Sequence, residues 1–134
     1  RAGCNPTLGT VTATSVVAPV TGAITGNVTW GITRPVQVIS GDGAITIRDG
    51  VVILTKGSAA AITLAAPTAV THDGIRIDIV SGSAFAHVVT VTGMAAGAGQ
   101  DVGTFGTAIN DSSSLVAYNG GWYVLTAPRN VTWA

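Results

Sequence analysis

Charge is what this sequence has least of. Only 9% of its 134 residues are charged and glutamate is absent, against roughly 25% charged residues in an ordinary globular domain. Six Asp balance one Lys and five Arg, so the formal net charge is zero. Identical copies of such a chain barely repel one another, which suits a part of an assembly better than a dilute free monomer. The same scarcity argues against a nucleic-acid partner: neutralising phosphates takes a clustered basic surface, and the cations here are scattered from Arg1 to Arg129. Cysteine is almost missing as well. Cys4 stands alone, which excludes a disulfide framework within the chain and leaves the redox compartment open. Long apolar runs are lacking too: although 47% of the residues are hydrophobic, no run approaches the roughly 18 apolar residues of a membrane-spanning helix, so no membrane partner is expected.

What is present is Val, Ile, Ala and Thr punctuated by glycine, a composition opposite to that of disordered chains. The length suits one domain with a real core. Residues 1–35 read as an extended arm, a candidate attachment segment punctuated by Pro6, Pro19 and Pro35, with short strands expected near 9–17 and 26–31. Residues 36–134 read as a single all-β domain. Val36 and Val38, then Ile45 and Ile47, alternate with Gln37, Ser40, Thr46 and Arg48. Asp49-Gly50 looks like the turn of a hairpin over 44–55. Further strands are expected over 59–64, 75–80 and 86–92, and a Gly/Ala-rich loop over 93–106 holds a short strand near 102–105. Strands recurring every eight to twelve residues imply antiparallel hairpins forming a β-sandwich, barrel-like or trimeric β-prism domain.

The clearest element is 114–126. Asn119-Gly120-Gly121 separates two β-prone runs, and a two-residue Asn119-Gly120 loop sets Tyr118 opposite Gly121, Val116 opposite Tyr123 and Ser114 opposite Leu125. Leu115, Ala117, Trp122 and Val124 then share the other side, and both sides are largely apolar; a Gly120-Gly121 loop changes the partners but leaves both sides apolar. A ribbon of this kind needs cover above and below, one cover from its own chain and the second from a neighbour.

Chemistry-bearing residues are few. His72, Asp73, Asp78 and His87 are the candidates for metal or acid–base work, but none has the close ligand spacing of a zinc site. Asp111-Ser112-Ser113-Ser114 offers a nucleophile without the strand–turn–helix elbow that would activate it. Gly97-Ala98-Gly99 lacks the rest of a dinucleotide fingerprint. No catalytic residue, metal or cofactor is therefore expected. Asn27, Asn110 and Asn130 each open an Asn-x-Ser/Thr triplet, common in so Thr-rich a chain. The tetrapeptide Asn-Val-Thr-Trp occurs at 27–30 and again at 130–133. Trp30, Tyr118, Trp122, Tyr123 and Trp133 are the candidate interface residues, since aromatics on a β surface anchor protein contacts or stack on sugars; the alternative for Tyr118, Trp122, Tyr123 and Trp133 is packing in the core, expected there or at a subunit interface for at least two of the four.

Several stretches together resemble a class of tailed-bacteriophage virion proteins, the small β-structured head decoration (cement) and head- or tail-fibre modules. They are Gly41-Asp42-Gly43-Ala44-Ile45-Thr46-Ile47, Leu64-Ala65-Ala66-Pro67-Thr68, Asp73-Gly74-Ile75-Arg76-Ile77, Ala86-His87-Val88-Val89-Thr90-Val91 and Ala117-Tyr118-Asn119-Gly120-Gly121-Trp122-Tyr123-Val124. The resemblance covers about residues 40–134 and implies a non-enzymatic, often trimeric β module on the capsid exterior. Its expected partners are the major capsid protein and further copies of itself. A tail-fibre, receptor- or glycan-binding module is the alternative.

Overall fold

Alternation of side chains at every second position becomes a series of short strands spread along the described chain. The computed structural model describes residues 33–47, 49–95 and 99–134, and contains ten strands with no helix among them. They are β1 (Val36–Ile39), β2 (Gly43–Ile45), β3 (Gly50–Leu54), β4 (Ala61–Leu64), β5 (Arg76–Ser81), β6 (Val88–Val91), β7 (Val102–Phe105), β8 (Ser112–Tyr118), β9 (Gly121–Val124) and β10 (Val131–Trp133). Two five-stranded sheets result, ordered β1-β3-β5-β8-β9 and β10-β7-β6-β4-β2. The fold is a β-sandwich, open and not closed into a barrel. Residues 1–32 of the expected arm, with Cys4, Trp30 and the first Asn-Val-Thr-Trp copy, lie outside the described residues.

The route of the chain departs from the expected antiparallel hairpins. Through its first six strands the chain crosses from one sheet to the other at every connection, so β1, β3 and β5 pair in parallel in the first sheet and β2, β4 and β6 in parallel in the second. Parallel neighbours need a crossover, and here a strand of the facing sheet supplies it. The expected 44–55 hairpin is therefore not formed: β2 and β3 belong to different sheets. Gly50 turns the chain instead at φ 130°, where a Cβ would run into the carbonyl oxygen of Pro35. Turn residues at Asp49-Gly50 mark a change of direction, but they do not say whether the chain doubles back beside itself or passes to the other layer. Antiparallel pairing begins only at β7 and β8, which close the two sheets against β6 and β5.

This winding stacks like on like along the inner face of each sheet. Val52 and Ile79 are cross-strand partners, as are Ile62 and Val89, and Leu64 and Val91; all six are fully buried or nearly so. Each such side chain contributes roughly 1.5–3 kcal/mol by leaving water. The alternation in β1 runs the other way round. Val36 and Val38 point outward, while Gln37 takes the inward position whose ladder partner is Val52. Its amide closes this end of the core: Nε2 donates to the Ala44 carbonyl at 3.0 Å, and Oε1 accepts from Thr46 N–H at 2.8 Å. A polar side chain is tolerated there because both ends of its amide find partners.

The C-terminal hairpin has the expected register, with Tyr118 opposite Gly121, Val116 opposite Tyr123 and the Leu125 amide bonded to Ser114. Asn119 and Gly120 both take positive φ, 46° and 78°, as a two-residue loop demands. Two carboxylate bonds fix the tip: Asp73 Oδ1 accepts from the amides of Asn119 at 2.7 Å and of Val70 at 3.2 Å.

Candidate interaction surface

Two of the candidate aromatics turn toward the interior, Trp122 fully and Trp133 in part, as core packing requires. Trp122 points inward from β9, is fully buried, and donates its Nε1–H across the sandwich to the Ala65 carbonyl at 2.9 Å. Trp133 on β10 is half-buried and sits directly opposite Gly103, where a Cβ would come within 2.8 Å of the indole ring. Its Nε1–H donates to Ser113 Oγ in the other sheet at 3.3 Å. Both indoles tie the sheets together, because an aromatic bearing one N–H fills a gap only where an acceptor stands at its far side.

The other two go the opposite way. Tyr118 and Tyr123 remain 62% and 44% exposed on the outer face of the first sheet, with ring centroids 6.3 Å apart and planes tilted by 56°. Around them the ladder carries further apolar side chains outward. One row runs Val38, Ile53, Val80; another begins with Val36 and Val51; Val116 lies beside Tyr123 and Leu125 follows it. Val36 and Val38 are 57% and 60% exposed. With four residues in β1 and seven in β8, five strands spaced at about 4.8 Å give this face about 400 Å² of plan area. Its apolar part is smaller than this, since Arg34, Arg76, Asp78 and Ser114 share the face, so composition and not area sets the face apart.

Polar groups in the middle of this face answer one another. Asp78 receives Arg34 Nη1 and Arg76 Nε, each at 2.8 Å, together with the Ser114 hydroxyl. Arg34 also reaches Asp49 Oδ1 at 2.8 Å and the carbonyl of Arg76. Burial opposes the charge on Asp78, yet Ser114, Arg76 and Arg34 outweigh it and hold the carboxyl below its ordinary range. Asp49 is lowered chiefly by its bond from Arg34. Two cations and two anions thus cancel within one cluster and leave the surrounding valines and tyrosines as the outward feature.

The outer face of the second sheet differs in chemistry. Thr63, Thr90, Thr104 and Thr132 point to water, with the small Ala44 and Ala61 and the half-buried Val88 and Val102 between them. No aromatic stands on that face among the described residues.

The remaining chemical candidates do not come together. His72 Nδ1 accepts from the Thr68 amide at 2.8 Å, within its own turn. Asp78 belongs to the outer face of the first sheet, and His87 is buried between the sheets. Ser113 faces inward and Ser114 serves Asp78. Among the described residues no pocket is present and no three His, Cys, Asp or Glu side chains gather as a metal site. Comparison with protein-family models, with curated proteins and with solved structures finds no match for this chain.

Proposed function

We propose that the chain is a non-enzymatic structural module that works inside an assembly, through the outer face of its first sheet. The observation that carries this reading is the contrast between that face, apolar with its charges cancelled in place, and the threonine face behind it. Identical copies brought together on the first face meet no net repulsion and cover valine and tyrosine surface that one chain leaves wet. Following the resemblance to phage virion β modules, the assembly is a capsid exterior, the partner is the major capsid protein, and the copies associate as trimers. Such a module stabilises a shell by mass action, because it binds the assembled state and not its dissociated parts. The test is to add the purified protein to shells that lack it. Co-sedimentation and a higher shell melting temperature are expected; neither change at saturating protein would refute the virion reading.

A second reading rests on the exposed Tyr118–Tyr123 pair, which suits a sugar ring. It makes the chain a fibre-tip glycan binder. Saccharide binding that disappears in Tyr118→Ala and Tyr123→Ala, with oligomeric state unchanged, would favour it over the first.

A further inference from the structure

Three connectors lie at one end of the sandwich: 40–42 between β1 and β2, 55–60 between β3 and β4, and 82–87 between β5 and β6. Side chains link them in series. Asp42 Oδ1 accepts from Lys56 Nζ at 2.7 Å and from the Ala61 amide at 2.8 Å. The Ser83 hydroxyl donates to the Lys56 carbonyl at 2.7 Å. His87, fully buried, accepts the Ala60 N–H on Nδ1 at 3.2 Å and meets Ser83 Oγ with Nε2 at 2.9 Å.

The partners settle where the ring proton sits. An amide N–H only donates, so Nδ1 must be bare and the proton must ride on Nε2, pointing at Ser83. In this form the imidazole acts as an extra backbone acceptor. Ala60 returns the contact by accepting from the Val88 amide at 2.8 Å, so the ring prolongs the β4–β6 ladder by one step. The same tautomer leaves the pair without a general base, since Ser83 already gives its proton to Lys56. A second ring proton fits nowhere in this arrangement. It would set Nδ1–H against the Ala60 N–H and place a cation in a dry site beside Lys56.

We propose that His87 is an acid-sensitive latch: protonation of its ring releases Ala60 and Ser83 and loosens the connectors at this end of the sandwich, while the C-terminal hairpin stays closed. The charged neighbours all favour this direction or stand aside. Burial holds the histidine below its ordinary value, and Lys56, from the β3–β4 connector, adds to this by repelling a charged ring. Asp42 is occupied with Lys56 and Ala61, while β4, β6, β7 and residues 82–86 bring no titratable side chain. Asp111, beyond β7, is taken by the Ala108 amide and Asn130. The hairpin tip, at the opposite end, is held by Asp73 and contains no histidine contact to Asn119 or Gly120 among its side-chain bonds.

Amide hydrogen exchange on the full chain, corrected for the intrinsic effect of pH, tests this from about pH 7.5 to about pH 5. Opening at Ala60 is expected to rise by up to about tenfold per pH unit below the ordinary imidazole value, the slope of one proton taken up on opening. Ala117 and Trp122 amides should show no such slope. His87→Gln, which can accept and donate at the same places without titrating, should abolish it. A flat profile at Ala60, a hairpin that opens in step with it, or a Gln variant retaining the wild-type slope overturns the proposal. Should that variant not fold, the proton titration of the wild-type His87 ring decides: a midpoint below 6.5 supports the latch, and one at or above that value overturns it.

Discussion

The two outer faces of this sandwich are made from the same short repertoire, yet one is a threonine surface and the other a valine and tyrosine surface. On the second sheet four of the six outward β-branched residues are threonine, the others being Val88 and Val102; the threonine hydroxyl keeps a bond to water while the branched Cβ keeps the strand extended. On the first sheet the outward apolar side chains are Val36, Val38, Val51, Ile53 and Val80 towards the β1 edge and Val116, Tyr118 and Tyr123 towards the β9 edge, with Arg76, Asp78 and Ser114 between them. Strand-forming tendency is served equally by both. What the difference teaches is that backbone propensity does not account for the apolar choice, and that the first face is where the proposed contacts belong.

Mutations separate these effects, beginning with the inner side of the hairpin. Trp122→Ala should cost about 3–5 kcal/mol in denaturant unfolding, because it empties a fully buried site. The adjacent Tyr123→Ala should cost under about 1 kcal/mol in the isolated chain, since its ring stands outside. Equal losses would mean that the outer face is packed within one copy. Next, Val38→Asp and Tyr123→Asp should each weaken self-association by about a hundredfold in sedimentation equilibrium, as a buried unpaired charge does. Thr63→Asp on the opposite face should leave association unchanged.

The central cluster gives a smaller effect, visible through pH. Asp78→Asn leaves Arg34 and Arg76 short of an acceptor and should cost roughly 1–3 kcal/mol at neutral pH. Because the folded carboxyl is held below its ordinary value of 3.8, its contribution is present above that value and is lost as pH falls through the folded one. The Asn variant should therefore flatten the acid limb of a melting-temperature profile below about pH 4, where Asp78 titrates. The limb below 6.5, where His87 resists protonation, should persist. Smallest of all, Thr90→Val on the second sheet should change stability by under about 0.5 kcal/mol.

Much of the fold is legible in residue order. The hairpin register follows from Asn119-Gly120, whose turn type admits few alternatives. The buried faces of β5 and β6 follow from Ile77 and Ile79, and from Val89 and Val91, alternating with polar or outward neighbours. The parallel winding is not legible, because a strand sent to the facing sheet has the same alternation and the same turn residues as one folded back in its own. Two further features hide for local reasons. Gln37 looks outward by its polarity, but its amide is needed to close the end of the core. Trp122 and Trp133 look like surface anchors, but each lies where a carbonyl or hydroxyl of the other sheet meets the indole N–H. A useful signal for Trp133 was Gly103, a strand glycine that marks close approach of something large. The association surface was legible in part: the hairpin showed two apolar sides, while the contribution of β1, β3 and β5 to the outer one required the sheet order.

Sedimentation equilibrium of the purified full chain, at neutral pH and micromolar concentration, tests the central claim most directly. A closed oligomer, favoured as a trimer, in which Val38, Tyr118 and Tyr123 are protected from solvent labelling is the predicted result. A monodisperse single copy with those three side chains fully labelled would contradict it.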